Sequence, residues 1–203
     1  MRSLTLFALS VTLIVPAYAS ILYTNIGPNS GTDAGFETNE GYSVTDSFTI
    51  TSAATVTGFD FVSWNSVGDV EQAVDWSIGT TAYASDLGSA DVSLSNSYIG
   101  PAVDDYPYNL YTNTATGLDV PLAPGTYWFT LDGSVSSLDV PEYWDISGGP
   151  SDAYWSGISG EDVISETFDI TGDVGTPEPG GLGLLGCGIL ALAGLFRRKT
   201  CRV

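Results

Sequence analysis

Carboxylates, hydroxyls, amides and aromatic rings are the only functional side chains between residues 20 and 175. The chain has 24 Asp and Glu residues, and of these only Glu178 lies outside that segment. All five Lys and Arg residues and both Cys residues lie in the two terminal stretches, and the sequence contains no His. The segment therefore lacks the groups for a Ser-His-Asp or Cys-His site, a Schiff base, an imidazole zinc site or a cationic clamp for phosphoryl transfer.

This composition leaves one common enzyme class open. Glycoside hydrolases need only two carboxylates about 5–10 Å apart, but a segment this rich in acids brings some pair to that distance by chance. We therefore expect a protein that is not an enzyme, with a carboxylate-based glycosidase as an alternative. The same negative charge repels phosphate backbones, so we expect no nucleic-acid partner.

Three of the five Trp residues are candidate ligand-binding residues, because stacking on a sugar ring needs an exposed aromatic face beside hydrogen-bonding groups. Trp128 should face away from the core, since Tyr127 and Phe129 on either side of it fit the apolar face of a strand. Trp144 and Trp155 lie in Gly-rich segments, which are typical of surface loops. The alternative is that these side chains fill the core and the strand faces.

Groups of neighbouring acids are candidate calcium ligands, because calcium prefers carboxylate oxygens. The candidates are Asp104, Asp105, Glu161 and Asp162, with a further group at Asp69, Glu71 and Asp75. The sequence contains no EF-hand loop, and the alternative is that each group belongs to a solvated face. We expect no cofactor other than calcium.

The pattern of apolar residues predicts strands almost throughout residues 20–171. In residues 74–78 and 127–131 every second side chain fits one apolar face, which is the period of a strand. Turn signals containing Gly and Pro separate the strand candidates. Such a series of short strands favours an all-β fold, an antiparallel β-sandwich of the jelly-roll kind. The expected core residues are Phe48, Ile50, Val56, Phe59, Phe61, Trp76, Ile78, Tyr127, Phe129, Leu131, Phe168 and Ile170.

The N-terminal stretch has the features of a secretory signal peptide. Arg2 precedes an apolar run over residues 4–15, and a small-residue cleavage site follows at residues 17–19. We therefore expect export through the Sec machinery with residues 1–19 removed. Because both Cys residues lie beyond residue 180, the β domain is expected to fold without disulfides.

The C-terminal stretch has the features of a short membrane span preceded by a processing motif. The apolar run at residues 182–196 is interrupted by Gly and has fifteen residues, whereas a bilayer span needs about 20. The basic cluster after it is a stop-transfer signal that stays in the cytoplasm. The motif residues are Pro177, Glu178 and Pro179, and the stop-transfer residues are Arg197, Arg198 and Lys199. Alternatives are a permanent single-span anchor and a buried core helix.

Residues 176–203, which begin TPEPGGLGLLGCGILALAGLFRRK, resemble the bacterial PEP-CTERM sorting signals. Those signals combine a Pro-Glu-Pro motif, a short span rich in Gly and Leu, and a terminal basic cluster. The resemblance implies recognition by a membrane-embedded exosortase, removal of the tail, and release or attachment at the cell surface, usually in bacteria that make extracellular polysaccharide. The same tail class is also catalogued as an ice-binding protein C-terminal domain, so ice binding is a further alternative.

The sequence therefore predicts four parts: a signal peptide at residues 1–19, a β-sandwich domain at 20–171, a linker with the Pro-Glu-Pro motif at 172–180, and a span with a basic tail at 181–203. We expect a structural or adhesive protein of the bacterial cell surface or extracellular matrix, made as a membrane-anchored precursor. The alternative of a different class is a carbohydrate-binding module. The expected partners are the Sec machinery, an exosortase, the membrane before processing, and polysaccharide.

Overall fold

The computed structural model describes residues 19–25, 34–102, 106–158 and 162–175, which form an all-β domain. The prediction of an all-β fold is confirmed. No helix among these residues is long and apolar enough to cross a membrane, and the predicted signal peptide and C-terminal span lie outside the described ranges. The strands are β1 (Ser20–Thr24), β2 (Gly35–Glu37), β3 (Ser43–Ile50), β4 (Ala54–Ser66), β5 (Glu71–Gly79), β6 (Gly88–Ser93), β7 (Ser95–Pro101), β8 (Tyr108–Leu122), β9 (Gly125–Ser136), β10 (Tyr143–Asp145), β11 (Ala153–Trp155), β12 (Asp162–Val163) and β13 (Phe168–Val174).

The first sheet is organised around β4. On one side β8 runs antiparallel along the whole of β4, from the pair Ala54 and Leu122 to the pair Ser66 and Tyr108. On the other side β4 pairs with β13 over its first half and with β10 near its end. The sheet continues from β13 to β1, from β10 to β2, and from β8 to β7, and every one of these pairs is antiparallel.

The second sheet has the order β12-β11-β3-β9-β5-β6 and is also antiparallel throughout. The pairing of β3 with β9 runs without a shift from Ser43 opposite Asp132 to Ile50 opposite Gly125. On the other side of β9, β5 pairs with two shifts of register near its start. These irregularities lie where the inner face of β5 changes from the apolar Val74 to the buried Glu71.

The two sheets pack face to face as an antiparallel β-sandwich around an aromatic core. Phe59 of β4 and Phe129 of β9 meet between the sheets with their ring centroids 4.8 Å apart. Of the predicted core residues all are buried except Tyr127, which is half-buried against the others. Burial of one such large apolar side chain contributes about 1.5–3 kcal/mol, so this aromatic layer is the main source of stability in a domain without disulfides.

The predicted linker begins later in the chain than residue 172. Strand β13 continues to Val174, and Gly172 pairs with Val56 of β4. The Gly that suggested a flexible spacer instead serves a close contact, because a Cβ at this position would clash with the carbonyl oxygen of Thr55. The domain boundary predicted at residue 171 is therefore too early.

Candidate functional site

The outer face of the second sheet carries a groove of about 420 Å³, which we call the outer groove. Its floor is formed by β9, β5 and β6, and the loop between β5 and β6 forms one wall. Its polar lining residues are Ser43, Asp75, Ser77, Tyr83, Ser85, Ser89, Asp91, Thr130 and Asp132.

Strand alternation places hydroxyl groups in a row across the floor of the outer groove. Ser77 in the middle strand lies opposite Thr130 of β9 on one side and Ser89 of β6 on the other. The row continues into β3, because the hydroxyl of Thr130 donates to that of Thr45 at 2.8 Å. Since Val74, Trp76 and Ile78 on the same strand point into the core, the intervening residues have to face outward.

A second row, made of carboxylates, lies two residues along the same strands from the hydroxyl row. Asp75 lies opposite Asp132 on one side and Asp91 on the other. Like charges directly opposite one another destabilise a sheet, and residues 20–175 contain no Lys, Arg or His to offset them. Burial and the charge of Asp75 raise the pKa of Asp132. The row can accept hydrogen bonds from hydroxyl groups or attract a cation.

The wall of the outer groove depends on a glycine. The loop between β5 and β6 folds back over Gly79, where a Cβ would clash with the carbonyl oxygen of Ala84. Asp86 fixes the loop by accepting hydrogen bonds from the backbone amide and the hydroxyl of Thr80, both at 2.9 Å. This places Tyr83 on the rim with 42% of its surface exposed, in a left-handed backbone conformation with φ 61°.

An aromatic pair stands beside the outer groove. Trp128 lies opposite Gly79 in the pairing of β5 with β9, on the same outer face as the hydroxyl row. Its ring is half-buried and packs on Tyr154 of β11, with ring centroids 5.4 Å apart and planes inclined by 35°. Burial, and then the charge of Tyr154, raise the pKa of Tyr83 on the rim of the groove. The outward orientation predicted for Trp128 is confirmed.

The surface positions predicted for the other two Trp residues are wrong. Trp144 is 0% exposed, and its indole N–H donates to the carbonyl oxygen of Thr167 at 2.9 Å. Trp155 is half-buried and faces the core side, where its ring lies 5.5 Å from that of Phe36, and its N–H donates to the carbonyl oxygen of Glu37 at 3.1 Å. Both rings fill space between elements and are not placed to stack on a ligand at the outer groove.

The predicted calcium ligands lie mostly outside the described residues. Asp104, Asp105 and Glu161 lie outside them. The fourth candidate, Asp162, lies in β12, and its backbone pairs with that of Tyr154. Within the described ranges no three His, Cys, Asp or Glu side chains are arranged to bind a metal ion. The sorting motif and the stop-transfer residues also lie outside the described part of the chain.

The group of Asp69, Glu71 and Asp75 is divided between the two faces of the second sheet. Asp75 faces the outer groove, whereas Asp69 and Glu71 are buried at one end of the sandwich together with Glu142. We call Asp69, Glu71 and Glu142 the end cluster. It forms where the inner face of β4 changes from Phe61 to polar residues further along the strand.

Amide side chains hold one oxygen of each glutamate in the end cluster. Asn113 donates to Oε2 of Glu71 at 3.1 Å, and Asn65 donates to Oε2 of Glu142. Asp69 accepts hydrogen bonds from two backbone amides and one hydroxyl. Because Glu71 and Glu142 are at most 1% exposed, the end cluster is a structural feature rather than a site that a substrate can reach.

Comparison with known proteins adds no relative from which a role can be transferred. No protein-family model matches the chain, and no curated protein matches it significantly. The outer groove and its aromatic pair are therefore the observations in the described residues that bear most directly on function.

Proposed function

We propose that this chain is an exported adhesive protein of the bacterial cell surface or extracellular matrix, and that its outer groove binds a neutral polysaccharide. The observation that supports this role best is the outer groove itself, with the ring of Tyr83 on its rim and the Trp128–Tyr154 pair beside it. The finer fold assignment, a jelly-roll-like sandwich, is part of the same proposal. It is supported by the position of β1 beside β13, which brings the two ends of the domain together.

The lining of the outer groove has the two kinds of group that sugar binding requires. Aromatic rings bury the apolar C–H face of a pyranose, and carboxylates and hydroxyls hydrogen-bond to its ring of hydroxyl groups. Trp128, which stands beside the outer groove, precedes Thr130 by two residues on the outer face of β9, and Asp132 follows two residues later. This spacing along one strand would present a stacking surface and acceptors to successive sugars.

Charge selects among polysaccharides. The outer groove contains three Asp residues, and no basic residue lies between residues 20 and 175. A uronic-acid or sulfated polymer would be repelled by this field, whereas an uncharged polymer would not. We therefore expect binding to a neutral glucan or mannan and none to alginate, measured by affinity electrophoresis at moderate salt.

Removing the aromatic rings tests this binding. Trp128→Ala and Tyr83→Ala are each expected to weaken binding of a neutral polysaccharide by about tenfold, because buried aromatic contacts supply most of the energy at such sites. Tyr98→Ala is the matched control, since Tyr98 is 57% exposed on β7 of the opposite sheet. Affinity is measured by calorimetry against soluble neutral polysaccharides, and circular dichroism checks that each variant is folded.

The binding role would be refuted if Trp128→Ala and Tyr83→Ala both bound a polysaccharide as tightly as the wild type does. The binding role would also be refuted if the wild type bound no glycan on a broad glycan array. A loss in Tyr98→Ala alone would move the site to the first sheet.

A second candidate, a carboxylate glycosidase, is favoured by one observation. Burial and the charge of the neighbouring Asp75 raise the pKa of Asp132, and a carboxyl group of raised pKa beside a second carboxyl group is the pairing that glycoside hydrolysis uses. The three groove Asp residues lie side by side on neighbouring strands rather than across the groove from one another, which favours binding over cleavage. Release of reducing ends that disappears in Asp132→Asn would support the glycosidase.

Delivery to the surface is proposed to depend on the tail. Glu178→Ala should leave an unprocessed, membrane-held precursor in a bacterium that has an exosortase, because the Pro-Glu-Pro motif is the segment that the resemblance assigns to recognition. Asp173→Ala is the matched control, since Asp173 is an exposed acid near the end of β13. Mass spectrometry of membrane and medium fractions measures processing, and normal cleavage of Glu178→Ala would contradict the assignment.

A further inference from the structure

A second group of polar side chains is buried inside the domain. Asp46 lies on the inner face of β3, between the core residues Val44 and Phe48, and is 0% exposed. Glu166 precedes β13 and is also 0% exposed, and Asn25 follows β1 with 1% exposed. We call Asn25, Asp46 and Glu166 the inner cluster. It connects three segments that are distant in sequence.

The residues of the inner cluster are in direct contact. Oδ2 of Asp46 accepts hydrogen bonds from the backbone amide of Glu166 at 2.6 Å, from the hydroxyl of Ser165 at 3.2 Å and from the side-chain amide of Asn25 at 3.4 Å. The same amide of Asn25 donates to the hydroxyl of Ser151 at 2.7 Å and to the carbonyl oxygen of Glu166 at 2.7 Å. Each of these groups is therefore held in place by its neighbours.

Several oxygens of the inner cluster nevertheless have no hydrogen-bond partner among the described residues. They are Oδ1 of Asn25, Oδ1 of Asp46 and both carboxyl oxygens of Glu166. Asp145 differs, because its carboxylate accepts hydrogen bonds from Trp64 and Thr167. Burial, and then the charges of Asp46 and Asp145, raise the pKa of Glu166 well above its usual range.

The buried carboxylates of Asp46 and Glu166 need a positive charge or a proton to offset their negative charge. A buried carboxylate with no partner costs several kcal/mol, and the domain offers no basic side chain, since Lys, Arg and His are absent from residues 20–175. The compensating charge must therefore be a proton or a bound cation. Two carboxylates and the hydroxyls of Ser151 and Ser165 form an all-oxygen set, which is the chemistry that calcium prefers.

We propose that the inner cluster binds one calcium ion, with Asp46 and the two carboxyl oxygens of Glu166 as its anionic ligands and the hydroxyls of Ser151 and Ser165 beside them. The ion would be structural, because the cluster joins the end of β1, the middle of β3 and the segment before β13. This site involves none of the acidic pairs that the sequence suggested. The site is also separate from the outer groove, so the test of calcium binding and the test of polysaccharide binding can give different results.

Calcium dependence of the melting temperature tests the site. The purified full chain is stripped with EDTA, dialysed, and melted at neutral pH with and without calcium chloride at constant ionic strength. Calcium at about 100 times its Kd is expected to raise Tm by about 5–10 °C, and elemental analysis should find one bound calcium per chain. Glu166→Gln and Asp46→Asn should each abolish most of the shift, and both should fold without calcium because each removes a buried charge.

Glu142→Gln is the matched control, because it makes the same change at a buried glutamate of the end cluster and should keep the full calcium response. The site would be overturned by a wild-type Tm that calcium leaves unchanged with no bound metal, or by a shift that persists in Glu166→Gln and Asp46→Asn. An equal shift with magnesium or with sodium chloride would also overturn it, since that result would indicate general screening of the acidic surface.

Discussion

Replacing Trp144 with alanine is expected to lower the free energy of unfolding by about 3–5 kcal/mol. The ring is fully buried, and the rings of Phe61, Phe129 and Phe168 surround it at centroid distances of 6.1, 5.6 and 5.6 Å. Truncation would open a cavity in the middle of this aromatic layer and would remove one of the two hydrogen bonds to the carbonyl oxygen of Thr167, which would keep that from the backbone amide of Val62 at 3.3 Å. Urea unfolding followed by tryptophan fluorescence and circular dichroism measures the loss.

Trp128→Ala is the control for this prediction, because it removes the same side chain from the outer face. Trp128 is half-buried and has Tyr154 as its ring partner, so its removal should cost only about 1 kcal/mol. Trp144→Phe separates the two effects, since it keeps much of the ring volume and loses only the hydrogen bond. Equal losses in Trp144→Ala and Trp128→Ala would contradict the assignment of Trp144 to the core.

The different outcomes for Trp128 and Trp144 show where strand alternation can predict the orientation of a side chain and where it cannot. Trp128 lies within the long strand β9, where apolar neighbours on both sides define the inner face and so fix the outward orientation of Trp128. Trp144 lies in the three-residue strand β10, which is too short for a period of two to be recognised. Its burial is set by pairing with β2 and β4, and these partners are distant in the sequence.

The fold was predictable because most of its core lies on such long strands. The residues at 74–78 and 127–131 show the period of two in the sequence, and they are the central strands of the second sheet. The outer groove was only partly predictable. Its floor follows from the same alternation, but its wall depends on the loop after Gly79, whose path is set by the close approach of Ala84 to Gly79 and by the hydrogen bonds of Asp86, and neither follows from strand alternation.

The buried acids were the least predictable feature, although one of them left a local signal. Asp46 occupies an inward position between Val44 and Phe48, so an acid interrupts an otherwise apolar strand face. Such an interruption indicates a buried polar site more specifically than a run of acids does. Glu142 and Glu166 left no such signal, because each lies outside a regular strand, and only the packing of loops over the ends of the sandwich buries them.

Burial and mutual repulsion set the protonation of the end cluster. Burial, followed by the charges of Glu71 and Asp69, raises the pKa of Glu142 to about 10. Burial also raises the pKa of Glu71 to about 7. For Asp69 burial acts in the same direction, but hydrogen bonds from Ser137, from Glu142 and from other donors outweigh it and lower the pKa. At neutral pH Glu142 therefore keeps a proton, and the carboxylate of Asp69 is the partner that its raised pKa and the lowered pKa of Asp69 indicate.

This arrangement makes the domain less stable as pH rises. Both glutamates have folded-state pKa values above the value of 4.5 that they have in the unfolded chain, so the folded state binds more protons than the unfolded state above pH 4.5. The free energy of unfolding therefore falls with increasing pH. The contribution of Glu71 to the free energy of unfolding is lost between about pH 4.5 and 7. The contribution of Glu142 is lost over a wider range, from about pH 4.5 to about pH 10.

Glu142→Gln should remove the larger part of this dependence. The amide of Gln can donate to Asp69 at every pH, while its oxygen still accepts the hydrogen bond from Asn65. Without added calcium, we expect the variant to match the wild type near pH 4.5 and to exceed it by several kcal/mol at pH 9, since each pKa unit corresponds to about 1.4 kcal/mol. Urea unfolding at both pH values measures the difference. Glu40→Gln, at an exposed position, should follow the wild type, and a Glu142→Gln curve parallel to the wild-type curve would show that Glu142 is ionised in the folded domain.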